Sequence, residues 1–377
     1  MSSEAKNVLL DGSRLIIEAL ARAGADVFIG YPITPANLLY LYGSQRFPAA
    51  LAAPDEITTL QWMSGFAAAG KIPVTATSFP GYALMVESIN MAYMMELPMV
   101  IVLSQRLGPS TGTATLGAQG DLLMLQGTIS GGYPLPTLSI ASIADCWTMA
   151  AKALYWAVSL RSPVVLLTAK DDVMTSRNFD LASLETIEPV NYQWYRGEET
   201  YQSYLPQENL VPAFLPVGNK GHRVRLTAST HDSAGILQNS TPEALANTKR
   251  LQAKLEKNLP EYTHYELDED ADAKTLVFSY GITAQAAREA VTTMRSEGKA
   301  VSYLIAKTLF PTPPQYHDIL AKYEHIVVAE ENLNGQMKQI LFGTRPRPGV
   351  TGVNAIARLI TPEEIIQEVK NHGPYIS

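Results

Sequence analysis

Three short stretches carry side chains suited to chemistry. The first is Tyr31-Pro32-Ile33-Thr34-Pro35-Ala36-Asn37, between the apolar run Val27-Phe28-Ile29-Gly30 and the run Leu38-Leu39-Tyr40-Leu41-Tyr42. That order predicts a strand, a tight turn and a helix. Thr34 stands where an N-cap belongs, and Pro35 at the first helical position, where its missing N–H costs nothing. The free amides of the first turn, with the positive end of the helix dipole behind them, would hold a small anion such as a carboxylate. The second stretch is Pro54-Asp55-Glu56, which opens a helix with Ile57, Leu60, Met63 and Ala67 on one stripe. Acidic residues in a first turn normally compensate the helix dipole. The third is Arg106, just past the apolar strand Met99–Leu103, in Ser104-Gln105-Arg106-Leu107-Gly108-Pro109-Ser110-Thr111-Gly112. An arginine at a strand end can bind a carboxylate through two parallel hydrogen bonds. Each stretch also has a plain reading: a capped helix start, dipole compensation, a surface arginine.

Other chemistries find less support. Cys146 is the single cysteine, beside Trp147 with no paired His or second Cys nearby in sequence, and reads as core. It leaves no internal disulfide and no iron–sulfur cluster ligated by this chain alone. The glycines through Gly120 form a close-approach loop, but no Gly-Lys-Ser/Thr follows and no GxGxxG is present. His231 reads as structural.

The elements that must position these residues follow an α/β rhythm. Ser13–Ala23 predicts a helix, with Gly24 as its stop. Strands are expected at Val74–Thr77, Met99–Leu103 and Val164–Thr168, with helices at Tyr82–Met95 and Ile143–Leu160. The pattern weakens from about Asp180 to Ala273, where aromatic and polar residues mix with prolines, and Thr241-Pro242 caps a charged helix. It resumes with strands Leu276–Tyr280, Ala300–Ile305 and His325–Ala329, and Thr361-Pro362-Glu363-Glu364 reads as a capping box. Strand–helix alternation predicts parallel sheets covered on both faces.

A length of 377 residues predicts two or three domains. Hydrophobic residues make up 46% and charged residues only 17%, which suggests surface covered by partners. The net charge of -7 supports neither nucleic-acid nor anionic-membrane binding. The start, Met1-Ser2-Ser3-Glu4-Ala5-Lys6, is polar and unlike a signal peptide, and no apolar run reaches the length of a membrane span. A cytoplasmic protein is expected.

Tyr31-Pro32-Ile33-Thr34-Pro35 resembles the signature of the α subunit of 2-oxoacid:ferredoxin oxidoreductases, in particular 2-oxoglutarate synthase-like members. The similarity extends over nearly the whole chain. It includes Glu56 through Gly65, Gln105-Arg106 through Gly112, Gln119-Gly120-Asp121-Leu122, Thr230-His231-Asp232, Ser279-Tyr280-Gly281 and Glu330 through Gln336. The chain departs at Phe79 and Leu107, where the family has glycines. It also reads Ser130-Gly131-Gly132-Tyr133-Pro134 where 2-oxoglutarate enzymes tend to have a Gly-His-Gly-Glu-type stretch.

The resemblance implies a pyrimidine-type thiamine-diphosphate (ThDP) domain with a parallel sheet over residues 1–185. An irregular linker or interface arm over 186–272 and a transketolase C-terminal-like α/β domain over 273–377 would follow. By resemblance Glu56 is the catalytic residue that hydrogen-bonds N1′ of the ThDP aminopyrimidine, within a small and apolar wall that shields its carboxyl. Thr34 and Arg106 bind the substrate carboxylate, and Pro32 and Ile33 touch the cofactor. No metal ligand is assigned to this chain. The implied reaction is oxidative decarboxylation of 2-oxoglutarate or another 2-oxoacid to an acyl-CoA, with electrons passed to ferredoxin. The implied β subunit holds the diphosphate with Mg²⁺ and an iron–sulfur cluster, and a γ or ferredoxin-like subunit is a further expected partner. Two alternatives stay open at this point: a non-redox ThDP-dependent decarboxylase or transketolase-type subunit, and a non-catalytic assembly subunit.

Overall fold

The computed structural model describes residues 7–372, so the polar start on which the signal-peptide reading rested lies outside the described residues. The chain opens with β1 (Asn7–Leu10), α1 (Gly12–Arg22), β2 (Val27–Gly30), α2 (Asn37–Arg46), β3 (Ala49–Ala52), α3 (Glu56–Ala68), β4 (Pro73–Thr77) and α4 (Phe79–Met94). It continues with β5 (Met99–Gln105), α5 (Leu122–Gln126), β6 (Thr137–Ser139), α6 (Asp145–Leu160), β7 (Pro163–Ala169), α7 (Lys170–Met174) and β8 (Arg177–Asp180). An irregular stretch leads to α8 (Pro242–Tyr262) and β9 (Tyr265–Asp268). The last part comprises β10 (Thr275–Tyr280), α9 (Ala284–Ser296), β11 (Val301–Ala306), β12 (Thr308–Phe310), α10 (Pro314–Leu320), β13 (His325–Glu330), α11 (Gln336–Phe342), β14 (Val350–Asn354) and α12 (Pro362–His372).

Two sheets carry the fold. The larger has seven strands in the order β12-β6-β7-β5-β4-β2-β3, parallel except for β12 against β6. The smaller has five in the order β14-β13-β10-β11-β9, parallel except for β9. The expectation of parallel sheets therefore holds for the centres and is corrected at one edge of each, where an antiparallel strand closes the row. The α/β class follows from the sequence pattern. β4, β5 and β7 are buried along their whole length, as runs such as Met99-Val-Ile-Val-Leu103 require when helices cover both faces. The helices between them are rich in apolar residues, and one hydrophobic cluster runs from α1 and β2 through β5 and β7 into β10 and β11. Among the described residues no helix is long and apolar enough to cross a membrane.

Gln119 ties the two sheets together. Its amide Nε2 donates to the Tyr280 carbonyl (2.9 Å), and its Oε1 accepts from the Thr283 hydroxyl and the Glu331 amide (both 2.7 Å). Its backbone N–H donates to the Glu331 carbonyl (2.7 Å), and its carbonyl accepts from Asn332 Nδ2 (3.1 Å). The contact needs Gly281, whose φ is +61° and whose absent Cβ would stand 2.5 Å from Gln119 Nε2. A side chain at this position is therefore both sterically and conformationally disfavoured. Gly281→Ala should destabilise the fold by about 2 kcal/mol, read as a lowered thermal unfolding midpoint. An unchanged midpoint would mean that the two sheets do not depend on this contact.

Candidate active site

The strand order reverses at β2. From β2 the chain steps outward to β3 at the edge, then returns across β2 to β4 and proceeds to β5. In open parallel sheets such a reversal leaves a crevice beyond the carboxyl ends of the strands. The residues expected to bind substrate or cofactor follow these strands, as does the Ser78–Gly81 segment. Thr34 lies beyond β2, Glu56 beyond β3, Ser78 to Gly81 beyond β4, and Arg106 directly beyond β5.

Thr34 and Arg106 are in contact: Arg106 Nη1 donates to the Thr34 carbonyl at 2.8 Å. Arg106 is 6% exposed and its Nε has no partner. Thr34 is half-buried, and its hydroxyl makes no hydrogen bond among the described residues. The expected capping role is corrected here. Thr34, Pro35 and Ala36 form a turn with a cis Thr34–Pro35 peptide, and α2 begins only at Asn37. Its N-cap is Ala36, without a side-chain cap. Positive charge for an anion at this loop therefore comes from Arg106 rather than from amides capped by Thr34. Pro32 is exposed and Ile33 half-buried on the same loop.

Glu56 is the first residue of α3. Asp55 takes the cap, its carboxylate accepting from the Thr58 amide at 2.7 Å. Glu56 is thus released from the ordinary role of a first-turn acid. It is 6% exposed, and its carboxylate accepts no hydrogen bond among the described residues. The neighbour that makes room for it is Gly81. A Cβ there would meet Glu56 Oε1 at 2.6 Å and Thr77 Oγ1 at 2.2 Å, so only glycine lets α4 approach this closely.

Polar groups buried without partners are rare in folded proteins. Among the described residues, five of the thirteen such side-chain atoms belong to residues at or beyond the ends of β4 and β5: Ser78 Oγ, Ser104 Oγ, Gln105 Nε2, Arg106 Nε and Asp121 Oδ2. Asp121 was visible in sequence only as part of Gln119-Gly120-Asp121-Leu122, with no role attached. Burial pushes its carboxyl up to about 7, against the opposing influence of Gln105 and Arg106. A group that brings its own donors and acceptors fits this edge, with Glu56 as a ready acceptor. Among the described residues no three His, Cys, Asp or Glu side chains gather as a metal site.

The two departures lie in different places. Phe79 is half-buried at the first residue of α4, within the crevice-forming segment. Ser130 to Tyr133 lies at the other end of that helix, where the Ser130 amide donates to Asn90 Oδ1 at 2.7 Å and Tyr133 packs on Tyr93. Asn90 stands about 13 Å along α4 from Gly81, so this stretch is remote from Glu56. Cys146 is buried, as expected for core, and burial pushes its thiol up.

The chain is similar to known proteins in sequence and in overall structure. The sequence profile of the family described as "Pyruvate flavodoxin/ferredoxin oxidoreductase, thiamine diP-bdg" matches residues 18–249. That of "Pyruvate:ferredoxin oxidoreductase core domain II" matches residues 273–359. The 2-oxoglutarate synthase subunit KorA of Methanocaldococcus jannaschii is 30% identical over 86% of this chain and 88% of its own length. The 2-oxoglutarate oxidoreductase subunit KorA of Mycobacterium tuberculosis is 32% identical over 87% of this chain, which spans about half (51%) of that relative. A structure of 2-oxoglutarate:ferredoxin oxidoreductase from Magnetococcus marinus, with 2-oxoglutarate, coenzyme A and succinyl-CoA bound, superposes with a TM-score of 0.91 at 27% identity. It covers 98% of this chain, and this chain spans 65% of that one. The chain belongs to the pyruvate flavodoxin/ferredoxin oxidoreductase family and carries that family's thiamine-diphosphate-binding domain.

Proposed function

We propose that this chain is the α subunit of a ThDP-dependent 2-oxoacid:ferredoxin oxidoreductase, with 2-oxoglutarate as the first substrate to test. The reaction is oxidative decarboxylation to an acyl-CoA with electrons passed to ferredoxin. The observation that carries the reading is the convergence of Glu56, Thr34 and Arg106 on one sheet edge, among buried polar atoms left without partners.

When bound, ThDP supplies the electron sink for the bond to the departing carboxylate. The work of this chain is to bind and orient. Glu56 offers a shielded carboxylate as acceptor to the aminopyrimidine, held in place by the α3 start and the gap at Gly81. Arg106 directs its charge at the substrate carboxylate while the Thr34 carbonyl fixes one end of the guanidinium. The Thr34 hydroxyl is a second donor for the same anion, and Pro32 and Ile33 border the cofactor from the same loop. Holding the reactants in one orientation removes much of the entropic cost of bringing them together.

The site is half of a whole. A β subunit is the natural source of the diphosphate and Mg²⁺ site and of an iron–sulfur cluster, since this chain has a single cysteine, in the core. A γ or ferredoxin-like subunit, CoA as co-substrate, ferredoxin as acceptor and a cytoplasmic setting complete the proposal. The names of the relatives as subunits, and the CoA bound in the Magnetococcus marinus enzyme, support it.

Two substitutions test the assignments in the assembled complex, assayed anaerobically with 2-oxoglutarate, CoA and a viologen dye. Glu56→Gln should lower turnover by roughly 100-fold or more with assembly intact. Full activity in that variant would remove Glu56 from the mechanism. Arg106→Lys keeps the charge but loses the planar fork, and should raise KM for the 2-oxoacid roughly 10-fold or more. A fall in turnover with KM unchanged would instead place Arg106 away from the substrate carboxylate.

A further inference from the structure

The second sheet has a crevice of its own, and a residue from beyond the first sheet fills it. From β10 the chain steps to β11 on one side, then returns across β10 to β13 and moves out to β14. The reversal lies between β10 and β13, two parallel strands that end at Tyr280 and Glu330. Open α/β sheets take their ligands beyond the carboxyl ends of the strands at such a point. Here the occupant is the side chain of Gln119, which belongs to the loop between β5 and α5. Its carboxamide meets the Tyr280 carbonyl, the Thr283 hydroxyl and the Glu331 amide, all from residues at or just past those two strand ends. Gln119 and Thr283 are both buried. The loop is held as a ligand would be, through the oxygen and the nitrogen of one amide.

The other end of that loop is Arg106, and the segment between is bonded to itself. The Leu107 N–H donates to the Leu116 carbonyl at 2.9 Å, and the Leu107 carbonyl accepts from the Thr113 N–H at 3.0 Å. Gly112 closes this turn: its φ is +53°, and a Cβ there would stand 1.6 Å from the Leu107 carbonyl oxygen. The two limbs therefore meet at Leu107 and Leu116. Gly117 and Ala118 alone separate Leu116 from Gln119, and Leu107 is the residue after Arg106. A shift of Gln119 thus reaches Arg106 by a short, bonded path. Among the described residues the Arg106 side chain makes one hydrogen bond, from Nη1 to the Thr34 carbonyl, and its Nε has no partner. The aim of the guanidinium depends on where the backbone holds it.

We propose that Gln119 is a positioning residue of the 2-oxoacid site: lodged in the crevice of the second sheet, it sets, through the Leu107–Leu116 hairpin, where the Arg106 guanidinium stands. The inference rests on the function proposed above. It gives the second sheet a part in substrate binding, although the residues expected to touch the substrate all follow strands of the first. A guanidinium that grips a carboxylate through two parallel hydrogen bonds tolerates only a small displacement of its fork. Loosening the Gln119 clamp therefore weakens that grip without removing any group that touches the substrate.

The test is steady-state kinetics of the assembled complex with 2-oxoglutarate, at saturating CoA and dye, for Gln119→Ala and for Thr283→Val. The second variant removes one bond and leaves Gln119 in place, so it decides the matter even where Gln119→Ala does not assemble. KM for 2-oxoglutarate should rise roughly 10-fold in Gln119→Ala and about 3-fold in Thr283→Val, with kcat near the wild-type value. Thr283→Ser keeps the hydroxyl and should return KM to the wild-type value. A role confined to stability would lower the amount of active complex, and with it the maximal rate, and leave KM where it is. An unchanged KM in an assembled variant, or a KM in Thr283→Ser as high as in Thr283→Val, would overturn the proposal. The route is tested by adding Thr283→Val to Arg106→Lys. If the clamp acts through Arg106, the added change moves KM little further. Full additivity of the two effects would also overturn the proposal. A wild-type complex that turns over no 2-oxoacid removes the proposed function and this inference with it, whereas turnover with KM unmoved in Thr283→Val removes the role of Gln119 alone.

Discussion

A carboxylate buried without a hydrogen-bond partner is costly, because it loses water and gains nothing in return. Glu56 is 6% exposed and its carboxylate accepts no hydrogen bond among the described residues, so the little water it still touches is its solvation, and the local architecture holds it there. Asp55 takes over the cap of α3, so the Glu56 side chain is not drawn to its own backbone. Gly81 gives α4 the clearance to close over it. The sheet order, reversing at β2, brings the ends of four strands to one edge, and the loops beyond them carry Thr34, Glu56, Ser78 and Arg106. Such a position suits a group that brings its own hydrogen-bond donors.

Glu96 is also fully buried, yet it accepts from two nitrogens of Arg250 and from Lys254 Nζ at 2.8 Å. Burial alone would raise its pKa, but Lys254 and Arg250 hold it well below the usual carboxylate range. Arg161 adds donors to the carbonyls of Ser203 and Ala213, both at 3.1 Å. This cluster pins α8 and the irregular arm to the first sheet. Here the fold pairs the buried carboxylate with two cationic side chains. Asp121, Arg106 and Glu56 are left incompletely paired at one edge of one sheet, and breaking a pairing of this kind without purpose would be strongly destabilising.

Much of this was legible in the sequence. The α/β class followed from apolar runs alternating with amphipathic stretches, and Thr34 and Arg106 were singled out in motifs after predicted strands, whereas β3, which precedes Glu56, was not expected. Position after a strand was itself informative, since strand ends in parallel sheets share an edge. The N-cap at Thr34 was misread because Thr-Pro before an apolar run fits both a capped helix and a preceding turn. Only the backbone shows the turn, with α2 starting three residues later. The return of β12 to the larger sheet was not readable from three residues, Thr308–Phe310, whose partners in β6 lie about half the chain away. Nor was the role of Gln119, whose bonds span 161 to 213 positions. Its amide looks like any loop glutamine until Gly281 and Glu331 are placed against it. Asp121 shares that limit, since a carboxyl in a loop gains meaning only from what buries it.

The central claim is that this chain supplies the pyrimidine-side half of a shared ThDP site. Native mass spectrometry of the complex, purified anaerobically from its source, tests that most directly. The account predicts that the chain travels with a cluster-bearing partner and that ThDP stays with the assembly but not with the chain alone. A chain that runs by itself and turns over a 2-oxoacid, or that is found with a partner lacking both ThDP and a cluster, would contradict it.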